Sequence, residues 1–102
     1  MPRVTLETAH ALGQDEALRR LKDKIAELKT AYQGHFADLK EQWSQASLSF
    51  GFRAMGMKFA GTMAVGDSAV SLAADLPWAA IVFRGKIEKE VRKELATLLA
   101  PP

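Results

Sequence analysis

The stretch that decides the fold is "ASLSFGFRAMGMKFAGTMAVGDSAVSLAADLP", residues 46–77. Apolar residues alternate through it with small or polar ones, which is the period of a half-buried β-strand. The alternation breaks at "MGM", residues 55–57, and at "GDS", residues 66–68, where glycine and aspartate are typical of turns. Three alternating strands joined by two short turns predict an antiparallel meander.

The residues before this stretch predict one more strand and a helix. "PRVTLETA", residues 2–9, alternates in the same way and predicts a first strand. Apolar residues then recur at steps of three and four, which predicts an amphipathic helix over 14–33 that ends at Gly34. The segment "HFADLKEQW", residues 35–43, fits neither period. The residues of the helical stripe are Leu18, Leu21, Ile25, Leu28 and Tyr32.

A final helix follows the meander. Pro77 suits the first position of a helix, because its fixed φ is helical and the first turn needs no backbone N–H. The predicted fold is therefore α+β with the order β-α-β-β-β-α: a single domain, residues 1–102, in which two helices pack on one face of an antiparallel sheet. The predicted core stripe of the last helix is Ala80, Phe83, Ile87, Val91, Leu95 and Leu98.

Composition narrows the class of protein. The chain has 102 residues, 48% of them hydrophobic, which is enough apolar surface for one ordered domain. It has no cysteine, so disulfides and thiol chemistry are excluded. No secretory signal is visible, and the longest apolar run, Leu76–Phe83, is far shorter than the roughly 20 residues of a membrane span. These features predict a cytoplasmic protein without a transmembrane segment.

Groups with catalytic potential are sparse and scattered. The two histidines, His10 and His35, have no second ligand at helical or strand spacing, and the sequence assigns neither of them a role. The serines have no histidine base in a recognisable arrangement, and no phosphate-binding glycine motif occurs. We therefore expect no enzyme activity, no metal site and no cofactor.

Two surfaces are left unexplained by this fold. The first is the outward face of the meander, where small residues replace the long charged side chains of an ordinary solvated sheet. It is either a plain exposed face, a self-association surface or a ligand site. The candidate residues for association are Ser47, Ser49, Gly51, Ala60, Thr62 and Ser71.

The second surface lies on the final helix. At about 100° per residue, Trp78 and Val82 fall opposite the core stripe and precede a row of lysines. An apolar pair beside lysines is typical of a helix that touches an amphiphilic or anionic surface. Alternatively, the segment 34–45 or the N-terminal strand covers the pair. The candidate contact residues are Trp78, Val82, Lys86, Lys89 and Lys93.

The second half of the chain resembles a known family. The strand "GMKFAGTMAV" with its pattern G-x-x-x-x-G-x-M-x-V, the turn "GDS", the alternating "AVSLAADLP" and the helix "FRGKIEKEV" resemble the polyhydroxyalkanoic acid system proteins. The stretch "VTLETAHALGQDEALRRL" suits the same family's beginning. These are short bacterial proteins associated with polyhydroxyalkanoate (PHA) storage granules. A granule is a polyester core under an amphiphilic, protein-rich coat. The resemblance implies a role near such granules and carries over no catalytic residue.

Three interpretations follow from the sequence. The first is a small non-enzymatic binding or regulatory protein of PHA metabolism that contacts the granule surface or its coat proteins. The second is a nucleic-acid-binding domain, because the order of elements resembles double-stranded-RNA-binding and ribosome-hibernation domains. The net charge of only +2 and the interleaving of acids with bases weigh against it. The third is a self-association module, in the simplest case a homodimer.

Overall fold

A computed structural model describes residues 3–101 and shows five strands, two α-helices and a 3₁₀ helix. The α+β class, the antiparallel sheet and the two flanking helices are confirmed, with one strand more than the sequence predicted. Pro2, which the sequence places in the first strand, lies outside the described residues. The elements are β1 Arg3–Ala9, α1 Gln14–Ala31, β2 Ala37–Ser44, β3 Ser47–Ala54, β4 Met57–Val65, β5 Ala69–Asp75, the 3₁₀ helix Trp78–Phe83 and α2 Arg84–Leu98.

The sheet has the strand order β1-β5-β4-β3-β2, and every neighbouring pair is antiparallel. Directly opposed residues share a face, so the register shows which side chains lie together. One inward row crosses all five strands, from Leu6 through Leu72, Met63 and Leu48 to Trp43. Both helices pack on this face, which we call the inner face. The opposite side is the outer face.

Strand β2 is the element that the sequence did not predict. It lies at the edge of the sheet and is irregular, with a register shift between Ala37 and Lys40. Helix α1 contacts it through Lys29, which donates a hydrogen bond of 2.7 Å to Glu41. Within β2 itself, the Trp43 indole donates one of 2.6 Å to the same carboxylate. Because both donors favour the ionised form, the pKa of Glu41 is lowered.

The two ends of the sheet differ in what they carry. The end that we call the β3–β4 end holds the turn at Met55–Gly56, the start of β1, the end of β5 and the 3₁₀ helix. The other end, the β4–β5 end, holds the turn over 66–68. Helix α1 begins there, because its first backbone N–H, that of Gln14, donates to the Asp67 carboxylate at 3.0 Å. Helix α2 runs from the β3–β4 end to the β4–β5 end.

The helices share a core only towards the β4–β5 end. There, one buried cluster combines α1, α2 and the strands β3, β4 and β5; its fully buried members are Ala17, Leu21, Leu48, Met63, Val65, Val70, Leu95 and Leu99. Towards the β3–β4 end, α2 instead packs with Val4, Leu6 and Leu76 in a second cluster that includes no residue of α1. The two helices are therefore joined at one end of the sheet and separate at the other.

An arginine strengthens the joined end. The Arg20 guanidinium of α1 donates to the carbonyl oxygens of Leu98 and Ala100, at 3.0 and 2.9 Å, and so satisfies groups at the C-terminal end of α2. Its Nε also donates to Glu16 at 2.8 Å. Hydrogen bonds from Arg19 and Arg20 stabilise the Glu16 carboxylate and lower its pKa from 4.5 to about 2.

No helix within residues 3–101 combines the length and the apolar character needed to cross a membrane.

The first prediction concerns Gly61 of β4, which lies beneath a phenylalanine ring. A Cβ at this position would lie 2.7 Å from Phe50 Cζ and 2.6 Å from the Ala73 carbonyl oxygen. We expect Gly61→Ala to lower the free energy of unfolding by about 1–3 kcal/mol, because the ring and the neighbouring backbone must both shift. Urea unfolding followed by circular dichroism measures this change.

Gly51→Ala on β3 is the matched control. Its Cβ would meet no atom closer than 3.5 Å, an ordinary contact, so the free energy of unfolding should change by less than about 1 kcal/mol. Equal losses in the two variants would show that close approach is not what requires glycine at position 61.

The second prediction concerns pH. The folded-state pKa of Glu16 lies below its ordinary value, so the ionised carboxylate stabilises the fold above about pH 4.5, and this contribution is lost as the pH falls towards 2. Glu16→Gln should therefore unfold at a lower midpoint concentration of urea than the wild type at pH 7. The difference between the two midpoints should narrow below pH 4.5. Glu90→Gln, at a position without an ion pair in the described chain, should show no such gap.

Candidate functional site

The exposed large apolar side chains gather at the β3–β4 end. Seven such residues are exposed among those that the structure describes, and all belong to segments that start, finish or turn at this end. The buried cluster that both helices share lies towards the other end of the sheet. Their positions are the last turn of α1 and the residue after it, the first part of β2, the β3–β4 turn and the 3₁₀ helix. The seven are Leu28, Tyr32, Leu39, Met55, Trp78, Val82 and Phe83.

The most exposed group after Met55 is in the 3₁₀ helix. Trp78 is 72% exposed and Val82 is 78% exposed. Neither the segment 34–45 nor β1 covers them, which answers the alternative left open by the sequence. The α-helix predicted from Pro77 is wrong for Trp78–Phe83, which form a 3₁₀ helix, and Pro77 itself is extended and precedes it. At about 120° per residue, this helix points Trp78 and Val82 in different directions around its axis.

Phe83 is a further correction. The sequence placed it in the core stripe, but the change from 3₁₀ to α-helix falls at this residue and leaves it 56% exposed. Ala80 is buried as predicted. The aligned pair expected from the sequence is thus an exposed apolar group of three residues, Trp78, Val82 and Phe83.

The predicted lysines follow directly on α2. Lys86, Lys89 and Lys93 are all exposed, and their spacing places them on the helix face opposite the buried Leu95. None of the three forms an ion pair within residues 3–101, whereas Arg84 on the same helix pairs with Glu88 at 3.0 Å. The exposed apolar group therefore leads into a row of unneutralised cations, although the two do not share one helical stripe.

An aromatic row lies on the inner face where the helices separate. Phe52 of β3 stacks on Phe59 of β4, with ring centroids 5.2 Å apart and planes 16° apart. Phe36, in the connection before β2, lies 5.8 Å from Phe52. All three rings are only half-buried. This row continues the apolar character of the β3–β4 end onto the sheet.

The predicted sheet-face residues all lie together on the outer face. Ser47, Ser49 and Gly51 of β3 oppose Ala64, Thr62 and Ala60 of β4. Ser71 of β5 extends the same surface, since it pairs with Ala64. The sheet is slightly hollow here, and the hollow is lined by residues of β1, β3, β4 and β5.

Both histidines contact neighbouring residues of the fold. Both ring nitrogens of His10 are engaged: Nε2 lies 3.1 Å from the Gly66 carbonyl oxygen, and Nδ1 accepts from the Leu12 backbone N–H at 3.2 Å. His10 thereby joins the end of β1 to the β4–β5 turn. His35 packs its ring edge against Tyr32, with centroids 5.7 Å apart. Within the described chain, no three histidine, aspartate or glutamate side chains group in a way that could hold a metal ion.

Residues 4–99 match the family described as "Putative polyhydroxyalkanoic acid system protein". No curated protein matches the chain.

The third prediction uses the two tryptophans, which differ in environment. Trp43 is half-buried, with the Lys22 ammonium 5.1 Å from its ring centroid, whereas Trp78 faces solvent. The Trp43→Phe variant, in which only Trp78 emits, should show emission at longer wavelength and stronger quenching by acrylamide than Trp78→Phe. Equal quenching of the two variants would contradict the exposed position of Trp78.

Proposed function

Because the chain belongs to the polyhydroxyalkanoic acid system family, we propose that it is a small non-enzymatic binding protein of PHA metabolism that docks on the granule surface. The observation that carries this proposal is the gathering of all seven exposed large apolar side chains of the described residues at the β3–β4 end. A protein that acts at the surface of a polyester needs apolar area on the side that meets it.

The apolar side chains of the 3₁₀ helix would contribute most of the binding free energy of such a contact. Complete burial of an apolar side chain is worth about 1.5–3 kcal/mol, and Val82 and Phe83 are both more than half exposed in the free protein. Trp78 adds a large ring whose N–H can stay hydrated at the rim of the contact. Partial burial of this group is therefore enough for measurable adsorption to a polyester.

The row of Lys86, Lys89 and Lys93 supports an orientation in which the β3–β4 end faces the granule. With the β3–β4 end on the surface, α2 rises from the contact, and Lys86 is the nearest of its three unpaired lysines. A granule coat that contains anionic groups would attract these ammonium groups by about 1 kcal/mol each, falling off with distance. Apolar contact thus supplies adhesion to the polyester, and the lysines favour its amphiphilic coat.

The distribution of positive charge favours this proposal over binding to nucleic acid. Seven of the chain's 14 lysines and arginines form ion pairs with acids within the described residues. A phosphate backbone recognises concentrated, unpaired cations, and its binding weakens steeply as salt rises. Adsorption through apolar side chains should instead persist at high salt.

The fourth prediction is a co-sedimentation experiment with PHA particles, either bare or coated with anionic phospholipid. The double variant Trp78→Ala/Val82→Ser should bind bare particles at least about tenfold more weakly than the wild type, because it removes two of the most exposed apolar contacts. The coated particles should bind the wild type more tightly at low salt.

Ala11→Ser/Ala96→Ser is the control, since it makes two exposed apolar residues polar towards the β4–β5 end. It should bind like the wild type. Circular dichroism and urea unfolding confirm that each variant is folded. Unchanged binding of the Trp78→Ala/Val82→Ser variant, or retention on RNA with a steep salt dependence and none on particles, would contradict the proposal.

A further inference from the structure

The turn between β3 and β4 carries a large apolar side chain on a backbone that does not favour one. Ala54 and Met57 form the last pair of the two strands, so Met55 and Gly56 are the two residues of the turn. Both have positive φ, 53° and 75°. This is the backbone of a type I′ hairpin turn, whose first position is usually asparagine, aspartate or glycine. Methionine is therefore an unfavourable residue for the turn that it occupies.

Exposure to water is a second disadvantage of this methionine. Met55 is 87% exposed, more than any other large apolar residue that the structure describes. The other two non-glycine residues with positive φ in the described chain, Asp38 and Gln45, are polar. An unfavourable backbone conformation that carries an exposed apolar side chain indicates a contact outside the chain. Met55 is thus the tip of a hairpin that offers its side chain to an apolar phase.

Two cations lie directly behind this tip. Arg53 and Lys58 are opposed in the register and lie on the outer face, and like charges in such a position repel each other. Arg53 lies 3.6 Å from the Asp38 carboxylate, and Asp75, at the end of β5, already pairs with Arg3 at 3.1 Å. Lys58 forms no ion pair within residues 3–101. The opposed cations therefore favour an anion from outside the described chain.

We infer that the β3–β4 hairpin inserts Met55 into the acyl region of an anionic phospholipid layer, with Arg53 and Lys58 at the level of the lipid phosphates. At about 3.3 Å per residue, the two cations lie about 7 Å behind the tip along the strands. Interfacial proteins bury their apolar side about 5–10 Å into the boundary between headgroups and acyl chains, so the depth fits. The charge also fits, because a lipid phosphate is an anion that the opposed cations attract.

The neighbouring element suits the same orientation. Ala60 of β4 pairs with Asp75 of β5, so the hairpin lies beside the end of β5, where the chain enters the 3₁₀ helix. Trp78 in that helix is exposed, and indole rings favour the boundary between headgroups and acyl chains. This assignment rests on the proposed function for its site, the β3–β4 end, and names an anionic lipid as what that end binds.

Vesicle co-sedimentation of the full chain tests the assignment without any polyester. The wild type should bind vesicles of equal parts phosphatidylcholine and phosphatidylglycerol more tightly than vesicles of phosphatidylcholine alone. Met55→Asn should bind the mixed vesicles about tenfold more weakly, because it removes the inserted apolar side chain. Its urea midpoint should equal or exceed that of the wild type, because asparagine suits the turn. Met55→Leu, which keeps the position apolar, should bind like the wild type.

The role of the cations is tested by removing one of them. Lys58→Gln should bind the mixed vesicles about fivefold more weakly at low salt, because it takes one cation away from the lipid surface. Arg92→Gln is the matched control, since it removes the same charge from an exposed position of α2 farther from the hairpin. It should weaken binding by less than about twofold, because solvent screens a cation beyond about 10 Å.

Three outcomes overturn the inference: no binding of the wild type to mixed vesicles, a Met55→Asn variant that binds like the wild type, or equal losses in Lys58→Gln and Arg92→Gln. Binding to bare polyester particles without binding to vesicles also overturns it, and leaves the proposed function intact. Binding to vesicles without binding to the particles supports it, and contradicts the docking on polyester.

Discussion

The buried cluster to which both helices contribute at one end of the sheet is the constraint on which the rest of this structure depends. At the β4–β5 end, Leu21 of α1 and Leu95 of α2 belong to one buried cluster, and Arg20 of α1 bonds carbonyl oxygens at the end of α2. Among residues 3–101, no comparable cluster includes both helices at the β3–β4 end, where α2 packs with β1 and the residue after β5. The exposed apolar side chains at that end follow from this asymmetry, because the core that could bury them lies at the other end.

The two candidate surfaces have different physical origins. The apolar end arises because the helices separate and the chain enters α2 through a 3₁₀ turn, which leaves Trp78, Val82 and Phe83 uncovered. The outer face arises from the two-residue period of the strands, which places the large apolar side chains of β3, β4 and β5 on the inner face. At the first surface, apolar side chains can be buried against a polymer without a precise fit between the two surfaces, and adhesion to a polymer needs no such fit. The second is a shallow hollow in the sheet, lined in its middle by short side chains of β3, β4 and β5.

The alternation of residues 46–77 was sufficient to predict the meander and the placement of Ser49 and Thr62 on one face, because register and side-chain direction follow directly from a period of two. Strand β2 could not be predicted in this way. Its inward positions include Glu41, and it depends on Lys29 and Lys22 of α1, contacts that exist only in the folded chain. A continuous α-helix from Pro77 would place Phe83 in the core, and no local sequence signal marks the change from 3₁₀ to α at this residue.

The central claim is that the β3–β4 end is the part of the protein that meets the polyester. Hydrogen–deuterium exchange of the wild-type chain, free and adsorbed on PHA particles, tests it most directly, because it maps the contact without any substitution. The account predicts slower exchange on adsorption in three segments of this end, residues 32–39, 54–57 and 76–86, with little change in the β4–β5 turn. Protection centred on the β4–β5 turn, or no protection of residues 76–86 in protein that is fully adsorbed, would contradict it.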